Sequence, residues 1–119
     1  MRVAVSASGQ TLSEQLNPRL GRCEYFVIVD DVTNDTIAVE NTGRLSTGAA
    51  GIATANLLNN HQVDVVITGK VGPNAFTALQ AAGIKVYSST GGTIEDVLKK
   101  YRQGNLSEAG GPNVGLHGR

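Results

Sequence analysis

The feature that most restricts the fold is in the second half of the chain, where two short β-branched runs alternate with two helix-like stretches. Residues 63–68, Val-Asp-Val-Val-Ile-Thr, are apolar and β-branched, as a parallel strand buried on both faces must be. A Gly-bearing turn follows over residues 69–74. A helix then starts at Pro73, a favourable first helical position, and runs to Ala82, with Gly83 as its stop. Residues 84–87 form another short strand. Thr93-Ile94-Glu95-Asp96 resembles a capping box with Asp in place of the usual Glu or Gln, and the helix it opens reaches about Arg102. Glu95 and Asp96 at its start and Lys99, Lys100 and Arg102 at its end suit the helix dipole. Such units cross over right-handedly and lay helices against a sheet.

The first half reads differently. Residues 2–8, 23–31 and 36–40 are strands, with a hairpin turn over 31–35, and the close spacing of the last two implies antiparallel pairing. Residues 9–22 form a polar loop far longer than the usual 4–6 or so, and long loops tend to be functional. A second polar loop spans 41–48. Residues 49–60 then form a helix with a broad apolar face of Ala49, Ala50, Ile52, Ala53, Leu57 and Leu58. Ser46 or Thr47 is placed to cap it. The order β-β-β-α-β-α-β-α predicts an α/β fold: a mixed sheet covered by helices. A length of 119 residues suits one domain, which we place at 1–105, with a flexible Gly-rich tail over 106–119.

Charge and composition narrow the function. Ten basic residues balance ten acidic ones, and aromatic residues make up 4% of the chain. Nucleic-acid binding usually needs a basic excess or stacking platforms, so no nucleic-acid partner is expected. No run approaches the ~20 apolar residues of a membrane span. The start of the chain leads into a strand and has no secretory pattern. The lone cysteine, Cys23, permits no internal disulfide and suits a reducing compartment, so the expected location is the cytoplasm.

Ligands of open α/β sheets bind beyond the carboxyl ends of the parallel strands. Three polar segments are expected to gather there: 6–10 with Ser8, 68–74 with Lys70, Gly72 and Asn74, and 88–93 with Thr90 and Gly92. The last two lead into helix N-termini, which favour an anion. The first long loop adds Arg19, Arg22 and the Cys23 thiol; the second adds Arg44. Each has an ordinary reading too: Gly-rich loops are often only turns, the arginines can be solvated, and Cys23 opens an apolar strand where buried thiols are common. His61 sits just past a helix end, and His117 reaches a site only if the tail folds back. No phosphate-binding, dinucleotide-binding, nucleophile-elbow or structural zinc motif is present.

Three stretches carry a family resemblance: residues 17–26, Asn-Pro-Arg-Leu-Gly-Arg-Cys-Glu-Tyr-Phe; residues 69–76 with 82–87, Gly-Lys-Val-Gly-Pro-Asn-Ala-Phe and Ala-Gly-Ile-Lys-Val-Tyr; and residues 48–53, Gly-Ala-Ala-Gly-Ile-Ala. They resemble the NifX/NifB-like group of the dinitrogenase iron–molybdenum cofactor biosynthesis family, and the resemblance as a whole covers about residues 1–105. The resemblance implies an RNase H-like fold and a carrier of iron–molybdenum cofactor-type clusters or their precursors. Small stand-alone members hold a molybdenum–copper–sulfide cluster without covalent attachment. Carrier members often have a histidine before the Phe-Gly of the first loop, where this chain has Arg19-Leu20-Gly21. Arginine has no lone pair for a metal but presents several N–H donors to an anion.

The combined reading is a non-enzymatic protein that binds, stores or delivers an anionic metal–sulfur cluster, with a protein recipient. Arg19, Arg22 and Lys70 supply charge, N–H groups near Gly72 and Gly92 cap sulfide or oxo edges, and Cys23 is the candidate metal ligand. The alternative is a metal-free scaffolding module. An RNase H-like fold also invites a nuclease reading, but the two-metal mechanism needs clustered carboxylates. Residues 2–8 have none, and Asp30 and Asp31 lie at the far end of the second strand.

Overall fold

A computed structural model describes residues 1–47 and 49–111. In order, the elements are β1 (Arg2–Ala7), β2 (Tyr25–Asp30), β3 (Thr36–Glu40), a single 3-10 turn (Thr42–Leu45), α1 (Ala50–Asn60), β4 (Val65–Thr68), α2 (Pro73–Ala81), β5 (Lys85–Ser88), α3 (Ile94–Arg102) and β6 (Ser107–Glu108). The six strands form one mixed sheet in the order β3-β2-β1-β4-β5-β6. β1, β4 and β5 run parallel, and β2, β3 and β6 are antiparallel to their neighbours. This is the mixed α/β arrangement expected from the element order.

Alternation of side chains along each strand divides the core in two. Ala4, Phe26, Ile28, Val66 and Val86 face α1 and α2, where Ala55, Leu58, Ala75 and Leu79 meet them. Val3, Val5, Val27, Val29, Val65 and Ile67 face α3, where Ile94, Val97 and Leu98 meet them. β4 is buried along its whole length because it is central and covered on both faces, which is why its sequence is an unbroken apolar run. At the edge, β3 is largely exposed.

Local signals set most boundaries. Pro73 opens α2. Gly83, at φ 77°, takes the left-handed turn that ends it, a conformation costly for a side chain with a Cβ. Thr93 Oγ1 accepts from the Asp96 N–H at 3.1 Å, capping α3. The start of α1 differs from expectation: it has Ala49 at its cap position and no side-chain cap. Ser46 is instead used to close the 3-10 turn, its N–H donating to the Gly43 carbonyl at 3.1 Å. The sheet also enters the stretch assigned to a tail, since Ser107 and Glu108 pair with Ser88 and Tyr87. His117 lies outside the described residues.

α1 and α2 approach closely where Gly51 meets Ala75, because a Cβ on Gly51 would stand 2.8 Å from the Ala75 Cβ. Gly51→Ala is therefore expected to lower the urea midpoint by the equivalent of about 1–3 kcal/mol, and adding Ala75→Gly should recover part of that loss. A net gain in stability, which helix propensity alone predicts at about 1 kcal/mol, would show that the helices are not held this close.

Candidate functional site

Residues 8–20 form a strap across the carboxyl ends of the parallel strands. The Asn17 N–H donates to the Ser6 carbonyl at 2.8 Å, the Leu16 N–H to Gly92 at 2.9 Å and the Lys70 N–H to Pro18 at 2.6 Å. At Gly69 the strap comes so close that a Cβ would stand 2.8 Å from the Pro18 Cα. Leu16 is buried among the residues facing α3, so the strap fills that side of the strand ends.

On the other side a cavity of about 670 Å³ remains, within the usual size range of ligand sites. Pro18 to Arg22 form one wall, Ala50 and Gly51 at the start of α1 a second, and Lys70 with Gly72 to Ala75 at the start of α2 a third. Arg19, Arg22 and Lys70 bring three positive charges, and no carboxylate lines the cavity among the described residues. None of the three pairs with a carboxylate among those residues. Neither helix start carries a side-chain cap. First-turn N–H groups have no intrahelical acceptor and carry the positive end of the dipole, so both ends reinforce the cationic field.

The sequence-derived candidates divide accordingly. Arg19, Arg22, Lys70, Gly72 and Asn74 come together on the cavity wall. Ser8, Thr90 and Gly92 are not on that wall. The strap intervenes: the Ser8 N–H donates to Gln15 and the Gly92 carbonyl accepts from Leu16. Arg44 pairs with Glu40 at 3.2 Å, and its carbonyl accepts from Arg22 Nη1 at 3.0 Å, leaving Arg22 further N–H donors.

Cys23 corrects the sequence expectation of a thiolate contact. It is fully buried, absent from the cavity wall, and packed with Leu20, Phe26 and Ala55. Its Sγ–H donates to the Leu20 carbonyl at 3.4 Å. Burial pushes the thiol from 9.0 up to about 12, against weaker opposing hydrogen bonds from the Ala7 backbone and the Asn41 side chain. The thiol is thus neutral at ordinary pH, and metal ligation needs the thiolate. Among the described residues no three His, Cys, Asp or Glu side chains gather into a metal site. This arrangement suits an anion held by charge and N–H donors.

The walls at Ala50, Gly51 and Ala75 were not singled out as site residues from sequence. Small residues carry no chemical signature, and what they provide is space. Their trace was the Gly-Ala stretch at 48–53.

Residues 1–104 match the family described as dinitrogenase iron-molybdenum cofactor. The chain belongs to this family. It is 40% identical to the apo form of the orange protein from Desulfovibrio gigas, with a TM-score of 0.91 over 94% of this chain and 95% of that one. A putative NifB protein from Thermotoga is 37% identical, with a TM-score of 0.81 over 90% and 91% of the two chains. An uncharacterized protein of Methanocaldococcus jannaschii is 32% identical, over 81% of this chain and 84% of that one. No helix among the described residues of this family member is long and apolar enough to cross a membrane.

A thiol raised by burial stabilises the fold below its unfolded pKa, and that contribution is lost as pH climbs toward the folded value. The stability advantage of wild type over Cys23→Ala should therefore be constant below about pH 9 and shrink between 9.0 and about 12. The slope there is at most about 1.4 kcal/mol per pH unit, measurable by urea unfolding at stepped pH. A difference that stays constant across the window would mean the thiol titrates alike in both states.

Proposed function

We propose that this member of the dinitrogenase iron–molybdenum cofactor family is a carrier that binds an anionic metal–sulfur cluster without covalent attachment, for storage or delivery to a protein recipient. The single observation that carries the reading is the cavity itself: among the described residues, three cations without a carboxylate partner and two helix starts without a side-chain cap surround about 670 Å³, and no carboxylate stands on the wall. Such a site favours a multi-atom anion whose metals are already saturated by sulfide, because its charged side chains, Arg19, Arg22 and Lys70, offer N–H donors and no carboxylate or imidazole stands on the wall among the described residues. The cargo we favour contains molybdenum, as a molybdenum–copper–sulfide cluster or an iron–molybdenum cofactor precursor. Membership of the family described as dinitrogenase iron-molybdenum cofactor supports molybdenum in that cargo. A carrier role also fits the buried, neutral Cys23, which is no nucleophile in this state. The reducing interior of a cell is the compartment we assign to such a sulfide cluster.

Anaerobic incubation with tetrathiomolybdate and copper(I) is expected to give a visible absorption band that survives gel filtration. A colourless protein that gains no metal would sink this reading and favour a metal-free scaffold.

Electrostatic retention makes a further demand. Arg19→Ala and Lys70→Ala should each weaken retention by roughly two- to fivefold at low salt. Lys99→Ala, on α3 and away from the cavity wall, should leave it unchanged. Salt near 1 M, where the screening length falls to about 3 Å, should loosen wild-type retention as well. Unaltered retention in both cavity variants would remove those side chains from the site.

A further inference from the structure

Behind the cavity wall lies a buried polar pair that is not itself part of the wall. Asn41 follows β3 and Thr54 sits in α1, and both are fully buried. A buried amide is costly unless its groups are bonded. Asn41 Nδ2 donates to the Cys23 carbonyl at 3.0 Å and to the Leu20 carbonyl at 3.5 Å. Its Oδ1 accepts from Thr54 Oγ1 at 3.0 Å. The Asn41 carbonyl accepts from the Arg44 N–H at 3.2 Å and from Arg44 Nη1 at 3.0 Å. The Arg44 carbonyl in turn receives Arg22 Nη1 at 3.0 Å. The 3-10 turn that carries Arg44 is pressed on the same helix, because a Cβ on Gly43 would stand 2.6 Å from the Thr54 N.

One amide thus reaches two carbonyls of the 19–23 turn and a hydroxyl of α1, tying together two walls of the cavity. We propose that Asn41, braced by Thr54, is the positioning residue that fixes the 19–23 turn and so sets where the Arg22 charge stands at the cavity. The effect on cargo rests on the anion-binding reading above, whereas the effect on the turn rests on the hydrogen bonds alone. An apolar side chain at 41 would fill the space but would leave the Leu20 and Cys23 carbonyls without this donor.

Thr54→Val deletes the hydroxyl while nearly keeping the shape. In the ligand-free protein, amide hydrogen exchange at Arg22 and Cys23, whose N–H groups both donate to Arg19, should quicken roughly fivefold more than at Val27 and Val66 in the sheet. Equal changes at all four amides, or none, would overturn the proposal, since a purely structural role loosens the fold evenly. Retention of tetrathiomolybdate with copper(I) should also fall in Thr54→Val, and that deficit should vanish in an Arg22→Ala background, as expected for sites acting through one group. A deficit that persists in full there would overturn the route through Arg22. Should wild type retain no tetrathiomolybdate, the carrier reading fails, while the exchange pattern still decides the positioning role.

Discussion

Two main-chain hydrogen bonds hold the site in register: Lys70 N–H to the Pro18 carbonyl at 2.6 Å and Leu20 N–H to the Lys70 carbonyl at 3.3 Å. They form because Gly69 has no Cβ to keep Pro18 away. Their consequence is electrostatic. Arg19 and Lys70, far apart in sequence, become partners across a parallel bridge, although like charges set side by side repel. Neither has a carboxylate partner among the described residues, so their charges add along one edge of the adjoining cavity.

The same strap decides which side of the sheet is open. Toward α3 it buries Leu16 and engages Gly92, filling the space beyond the strand ends. Toward α1 and α2 it leaves space, because Gly51, Ala50 and Ala75 are small. The close contact of Gly51 with Ala75 brings the two helix starts together, so their dipoles act on one volume instead of two. Asn41 and Thr54 complete the frame from beneath, where a polar link between turn and helix is tolerable because its groups are bonded to one another.

Cys23 shows how position in the fold overrides residue chemistry. A thiol beside two arginines in a long loop looks like a metal ligand. In the folded chain it points its S–H at the Leu20 carbonyl and packs into the core, and burial keeps it protonated. Desolvation outweighs the lowering influence of the hydrogen bonds around it, so its neighbours' charges do not activate it.

The element order, the stop at Gly83, the cap at Thr93 and the buried character of β4 were legible in the sequence, because each depends on local backbone preference or on side-chain periodicity. The cationic trio was legible as well, since charge is a property of the residue. The open side of the strand ends, the uncapped start of α1, the pairing of Ser107 and Glu108 and the burial of Cys23 belong to the tertiary structure. Each depends on contacts between distant segments, and a local pattern does not encode which backbone will arrive to fill a space or to leave one.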